Sequence, residues 1–168
     1  MQTNLSEQAK RLPRAEEAER ILRSCVHCGF CNATCPTYQL LGDELDGPRG
    51  RIYLIKQMLE GNEVTAKTQE HLDRCLTCRN CETTCPSGVQ YHNLLDIGRE
   101  VVEQAVPRPL NERLLRQGLR AVVPRPALFK TLTQTGLALR PLLPAALKAK
   151  LPREIRPAKP RPTQQHTR

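Results

Sequence analysis

All eight cysteines of the chain fall into two copies of one spacing, C-x2-C-x2-C-x3-C-P. The first copy runs from Cys25 to Pro36 and the second from Cys75 to Pro86, so each cysteine recurs 50 positions later. This spacing is typical of proteins that bind cubane 4Fe-4S clusters, in which the fourth cysteine often serves the neighbouring cluster. The duplicated motif therefore predicts two 4Fe-4S clusters and an electron-carrying role.

The spacing also predicts which thiolates share a cluster. Three cysteines two residues apart let a tight loop wrap three corners of a cube, with its amide groups turned inward. The fourth cysteine follows a longer step, and Pro36 or Pro86 then bends the chain away. We therefore expect crossed ligation: Cys25, Cys28, Cys31 and Cys85 for the first cluster, and Cys75, Cys78, Cys81 and Cys35 for the second.

Other uses of cysteine fit the pattern less well. Structural zinc prefers separated cysteine pairs. The alternative outside electron transfer is a zinc-stabilised interaction module. A disulfide framework needs an oxidising compartment, and the N-terminal residues contain no apolar signal run. A thioredoxin-like site would need a βαβ pattern, which is absent.

The sequence contains no apolar run of the ~20 residues that span a bilayer. We therefore expect a cytoplasmic protein, and peripheral contact with the inner face of the cytoplasmic membrane stays open.

Charge divides the chain into an acidic and a basic part. Residues 1–106 hold 12 Lys/Arg and 15 Asp/Glu, whereas residues 107–168 hold 14 Lys/Arg and 2 Asp/Glu. We predict a two-cluster ferredoxin-type domain over residues 14–106, a basic helical segment over 107–151, and a Pro/Arg-rich linker or disordered tail over 152–168. Metal ligation would stabilise the first domain, whose aromatic content is low.

The hydrophobic periodicity predicts a mainly α fold. Helices are expected over residues 15–24, from Pro48 to about Gly61, over 68–74 and over 89–106, and no two-residue alternation indicates a strand. A helical two-cluster domain therefore fits better than a small β-hairpin ferredoxin. Proline pairs punctuate the basic segment, where Leu110, Leu114, Leu115 and Leu119 form an amphipathic stripe.

Two stretches carry a family resemblance. The first is Cys25–Pro36 with the following TYQLLGDELDGPRGR, and the second is QEHLDR before Cys75 with PSG and YHNLLD after Cys85. Both closely resemble the iron–sulfur subunit of bacterial glycolate oxidase, and the resemblance covers nearly the whole chain. The cysteine runs alone would also fit the corresponding subunits for lactate or glycerol 3-phosphate oxidation.

The resemblance implies a function and partners. It implies an electron-transfer subunit, not catalytic by itself, that takes electrons from flavin-containing (FAD) subunits oxidising glycolate to glyoxylate and passes them towards the quinone pool. Family members are much longer and carry two further Cys-Cys-Gly-type segments, so the chain is expected to be an N-terminal portion or a truncated product. The chain itself shows no catalytic residues, since it has no dinucleotide fingerprint and no convincing acid/base pair.

Several polar residues near the motifs have open interpretations. We expect a loop or supporting role for His27, because the cysteine set is complete without it. The acidic group Asp43, Glu44 and Asp46 could bind a metal, but its flanking glycines favour a solvated turn. Arg49 and Arg51 could pair with those acids or stabilise the charge of a bound cluster. Arg74 and Arg79 are expected to raise the potential of the second cluster.

The basic C-terminal third has three candidate partners: an acidic subunit, an anionic membrane surface and nucleic acid. Nucleic acid is not expected, because Phe129 is its one aromatic side chain and no recognition motif is present. Amphipathic basic helices favour anionic interfaces, so membrane contact stays open beside a simple solvated face.

Overall fold

The computed structural model describes residues 1–142 and Lys148, and it divides the chain into two compact units, Met1–Arg108 and Pro109–Arg168. The helices of the first unit are α1 (Ala15–Ser24), α2 (Phe30–Ala33), α3 (Pro36–Leu41), α4 (Pro48–Leu59), α5 (Ala66–Asp73), α6 (Asn80–Thr83) and α7 (Tyr91–Ala105). Short 3-10 helices cover Ala9–Arg11 and Glu44–Asp46. The described residues contain no strand, which confirms the predicted mainly α fold.

Helix α7 is the central element of the first unit, and α1, α4 and α5 all pack against it. The core consists of aliphatic side chains from these four helices, among them Ile21, Leu22, Ile55, Leu59, Leu72, Leu94, Leu95 and Val102. Gly98 permits the close packing of α7 on α4, since a Cβ there would lie 2.7 Å from the Ile55 side chain. These helices form the scaffold to which both cysteine loops are attached.

Local sequence signals explain the starts of two helices. Pro48 is the first residue of α4, where its missing N–H costs nothing. The Thr65 side chain caps α5 by accepting a hydrogen bond of 3.3 Å from the Thr68 N–H. The predicted helix over residues 15–24 is confirmed, and the other three predictions agree within a few residues. The two four-residue helices α2 and α6, which directly follow Gly29 and Arg79, were not predicted.

The first residues also belong to the core of this unit. Thr3 and Ala9 are buried, and the Ser6 N–H donates to the Leu59 carbonyl at the end of α4. The Met1 ammonium group donates to the Leu22 carbonyl at 3.1 Å. A cation at this position complements the negative end of the α1 dipole, so these residues secure the helix that leads into the first cysteine loop.

The second unit is described as far as Leu142, with Lys148 in addition. It contains α8 (Leu110–Val122), α9 (Pro126–Ala138) and a 3-10 helix over Arg140–Leu142, and α8 contacts α9. Neither α8 nor α9 has a buried residue. The predicted 152–168 linker and most of 143–151 lie outside the described residues. None of the described helices is long and apolar enough to cross a membrane.

Candidate iron–sulfur centre

Two partly enclosed cavities contain the cysteine side chains. The first has an empty volume of about 430 Å³, and its lining includes Cys25, Cys28, Cys31 and Cys85 together with Cys81. The second has an empty volume of about 410 Å³ and is lined by Cys35, Cys75, Cys78 and Cys81. The first cavity is thus lined by three cysteines of the first repeat and two of the second, and the second cavity by three of the second repeat and one of the first. This donor set fits two cubane clusters, which require four thiolates each.

Both cysteine loops contain left-handed backbone residues at equivalent positions. Positive φ angles occur at the equivalent positions His27 and Thr77, at 59° and 51°, and at Gly29 and Arg79, at 87° and 62°. Alternating right- and left-handed residues form a concave nest of N–H groups that favours an anion. Non-glycine residues adopt positive φ at an energetic cost. The positive φ angles of His27, Thr77 and Arg79 fit such a nest in both loops.

Burial makes some of these thiols poor acids in the absence of metal. Desolvation raises the pKa of Cys31 to about 11 and that of Cys81 to about 12. Burial also raises the pKa of Cys25. Because metal coordination deprotonates a thiol outright, cluster loading would release these protons. Cys28 and Cys78, the second cysteine of each loop, are instead exposed.

Hydroxyl groups lie against two sulfurs of the second cavity. Thr37 Oγ1 lies 3.2 Å from Cys35 Sγ, and the Tyr91 hydroxyl donates to Cys75 Sγ at 3.6 Å. Thr37 also donates to the Asp46 carbonyl at 2.8 Å and accepts from Arg51. Burial raises the pKa of Tyr91 well above its ordinary value, so the phenol keeps its proton.

A buried ionic network lies next to the second cavity, which Arg51 helps to line. Asp46 and Arg51 are both 0% exposed, with Arg51 Nη2 3.4 Å from Asp46 Oδ1. His71 Nδ1 lies 3.0 Å from Oδ1 of the same carboxylate, and Arg74 donates to Oδ2 at 2.9 Å. Burial alone would raise the pKa of Asp46, but the hydrogen bonds from His71 and Arg74 hold it below its ordinary value. The prediction of a solvated turn is therefore wrong for Asp46.

The turn around Asp46 contains a group of side chains that could bind a metal ion. Ligand atoms of Asp43, Asp46 and His71 lie within 4.8 Å of one another. Two guanidinium groups already contact the Asp46 carboxylate, however, and they would repel a cation. Arg51 pairs with Asp46, and Arg49 pairs with Glu44. Pairing with the acidic group was one of the two roles expected for these arginines. The turn is a structural ion-pair cluster.

Two other polar candidates, His27 and Arg79, line the cavities. His27 lines the first cavity, its ring centroid 6.0 Å from that of Tyr53, and its Nε2 is buried without a hydrogen-bond partner among the described residues. Arg79 lines the second cavity and pairs with Glu82 at 2.9 Å. Its effect on a potential therefore stays a prediction.

Sequence patterns did not reveal every residue that supports the loops. Arg99 of α7 donates to the backbone carbonyls of Leu72 and Cys75, both at 2.9 Å, and so ties the second loop to the scaffold. Tyr91 lines both cavities. Arg51 offered one signal, because it lies four residues before Ile55 on the buried side of α4. A charged residue on an apolar helix face indicates a buried partner.

Comparison with known proteins agrees with this geometry. A family model described as a 4Fe-4S dicluster domain matches residues 21–89. The matched range contains all eight cysteines of the chain. Its eight cysteines fit two clusters, and the dicluster domain contains both loops, α4 and the ionic network.

Curated proteins extend the similarity beyond the dicluster domain. The chain is 75% identical over all 168 residues to the glycolate oxidase iron-sulfur subunit of Escherichia coli (strain K12), covering 41% of that protein. It is 42% identical over 106 residues to the probable glycolate oxidase iron-sulfur subunit of Bacillus subtilis (strain 168), 62% of the chain and 23% of that protein.

A succinate dehydrogenase iron-sulfur subunit from Paracoccus denitrificans is 32% identical over 75 residues, which are 40% of the chain and 29% of that protein. The chain thus spans less than half the length of these relatives. No solved structure shows a significant match to it.

Proposed function

We propose that the chain forms the two-cluster electron-transfer part of a glycolate oxidase. In this function it takes electrons from a flavin (FAD) subunit that oxidises glycolate to glyoxylate and passes them towards the quinone pool. The observation that carries the proposal is the 75% identity over the whole chain to the E. coli subunit of that name. The two four-cysteine cavities support it, because bound 4Fe-4S clusters supply one-electron carriers at both places.

The proposal includes the crossed ligand sets. Cys25, Cys28, Cys31 and Cys85 would hold the first cluster, and Cys75, Cys78, Cys81 and Cys35 the second. The lining of the two cavities supports this division, although Cys81 borders both. Because each set draws its fourth thiolate from the other repeat, loss of one such cysteine should damage the distant cluster.

Serine substitutions test the crossing. Cys28→Ser and Cys78→Ser each mark one cluster, because these exposed cysteines belong to different loops. We expect Cys35→Ser to perturb the same EPR signal as Cys78→Ser, and Cys85→Ser the same signal as Cys28→Ser. If Cys35→Ser instead reproduces the Cys28→Ser spectrum, ligation is not crossed.

Metal analysis tests the proposed cofactors. After anaerobic purification, two four-iron cubes predict about eight irons and about eight acid-labile sulfides per chain. Stoichiometric zinc with negligible sulfide would support the zinc-stabilised interaction module instead.

Substrate coupling requires the flavin subunits of the same complex. Their addition with glycolate should bleach the visible absorbance of the iron–sulfur chain. Reduction with lactate or glycerol 3-phosphate but not with glycolate would assign the chain to one of the related dehydrogenases.

We also propose a peripheral contact of α8 with an anionic membrane. Leu110, Leu114, Leu115 and Leu119 lie along one half of the helix and are 52–75% exposed. Arg113, Arg116 and Arg120 fall on the other half by helical spacing. A basic helix with one apolar face matches the surface of an anionic bilayer, and residues 107–168 carry the excess of basic charge.

Vesicle sedimentation tests this contact. Leu115→Glu should reduce binding to vesicles that contain anionic lipid, because it places a charge on the apolar face. Gln117→Glu is the matched control, since it changes the net charge by the same amount on the polar face. Equal loss of binding in both variants would show that net charge, and not the apolar face, governs the contact. Binding that is insensitive to salt and lipid charge would contradict the proposed contact.

A further inference from the structure

Tyr91 occupies a singular position between the two cysteine cavities. It is the first residue of α7, it is 4% exposed, and it lines both cavities. Its hydroxyl donates to Cys75 Sγ at 3.6 Å and has no other hydrogen-bond partner among the described residues. The phenol therefore presents its proton to one particular thiolate of the second ligand set.

The internal repeat shows that this contact is not a general property of the motif. The position 50 residues before Tyr91 is Leu41, the last residue of α3, which is 53% exposed and has no hydroxyl. The equivalent of Cys75 in the first loop is Cys25, and the described residues include no tyrosine hydroxyl bonded to its sulfur. The phenol thus distinguishes two otherwise similar cluster sites.

A hydrogen bond to a ligand sulfur favours the reduced state of an iron–sulfur cluster. Reduction adds negative charge, part of which resides on the thiolates, and a donor fixed on such a sulfur stabilises that charge. The effect is strong where water is excluded, as it is around Tyr91. A single hydroxyl can therefore bias an electron towards the cluster whose sulfur it contacts.

We propose that Tyr91 raises the reduction potential of the cluster held by Cys75, Cys78, Cys81 and Cys35 relative to its neighbour. It thereby favours electron transfer from the Cys25 site to the Cys75 site. Tyr91 acts as a positioning residue, since it contacts a ligand and not the reacting substrate. This inference rests on the proposed function, because it requires that both clusters be present.

Tyr91→Phe tests the inference with the least change of shape, since it removes the hydroxyl and keeps the buried ring. The measurement is an EPR-monitored redox titration of the iron-loaded chain, with Cys28→Ser and Cys78→Ser used to assign the two signals. We expect the potential of the Cys75 cluster to fall, with the other moving much less. A tenfold change in the equilibrium constant between the sites corresponds to about 59 mV for a one-electron couple.

Tyr53→Phe is the matched control. Tyr53 is 42% exposed and contacts the His27 ring, with no bond to a cysteine sulfur among its described contacts. It should leave the potential of the Cys75 cluster unchanged. A merely structural role for Tyr91 would change iron content or stability without this selective shift.

A second measurement covers the case in which Tyr91→Phe loses iron. In a Tyr38→Phe/Tyr53→Phe background, Tyr91 is the one remaining tyrosine, so fluorotyrosine can be incorporated there alone. A more acidic phenol is a stronger donor, and we expect it to raise the potential of the Cys75 cluster. Unchanged potentials, or equal shifts of both clusters, in chains with full iron would overturn the inference. Low iron and sulfide in the parent chain would instead contradict the proposed function.

Discussion

Replacement of Asp46 by asparagine should destabilise the first unit more than any nearby surface change. The carboxylate is fully buried and faces Arg51, His71 and Arg74. Asparagine keeps the size of the side chain and removes its charge, so the guanidinium of Arg51, which is 0% exposed, loses its anion. Removal of one partner of a buried ion pair costs about 3–5 kcal/mol.

This cost corresponds to a large shift in a denaturant titration. With a urea slope of about 2 kcal/mol per molar for a small domain, the unfolding midpoint should fall by roughly 1.5–2.5 M. The assay is urea unfolding followed by helical circular dichroism, on iron-loaded chains of equal iron content. Because Asp46 has a lowered pKa in the fold, its contribution is present above the unfolded value of about 3.9 and is lost only as the pH falls through the folded value. The penalty should therefore be fully expressed at pH 7.

Asp43→Asn is the matched control in the same turn. Asp43 is exposed, and its described side-chain bond is to the Leu45 N–H at 2.9 Å. An asparagine oxygen can accept that bond, so the midpoint should change by less than about 0.5 M, within the range of ordinary surface substitutions. Equal effects of the two variants would refute the conclusion that burial and pairing of Asp46 stabilise the unit.

Three further substitutions test local packing in the two units. Gly50→Ala should prevent stable iron loading, because the new Cβ would lie 2.1 Å from the backbone oxygen of Glu44. The measurement is iron per chain, and full loading would show that this turn can move. Gly118→Ala should increase helicity and stabilise α8 by up to about 1 kcal/mol, since the new methyl group meets no atom within 4 Å beyond its own stretch of helix backbone. A decrease in circular dichroism would contradict an open position. Arg99→Gln should accelerate loss of the Cys75 cluster under chelator, because two carbonyls of its loop lose their donor; unchanged kinetics would exclude that support.

The ligand chemistry and the helical class were predictable because both depend on local patterns. Cysteine spacing limits which metal groups a loop can bind, and the hydrophobic pattern of the sequence predicts α1, α4, α5 and α7. Pro48 at the start of α4 illustrates how strongly a single residue marks a boundary. The short helices α2 and α6 were missed, since four residues carry too little periodicity.

The tertiary structure decided which polar residues act together. Asp46 lies between glycines and looks solvated in the sequence, yet packing of the turn on α4 and α5 buries it with Arg51 and His71. Tyr91 looks like one more apolar residue at a helix start, and the packing of α7 on α5, which leads into the second cysteine loop, places its hydroxyl against Cys75. Local spacing dictates what the cysteines can bind. Contacts between residues 16 to 28 positions apart determine what surrounds them, because sequence periodicity carries no information about which distant helices meet.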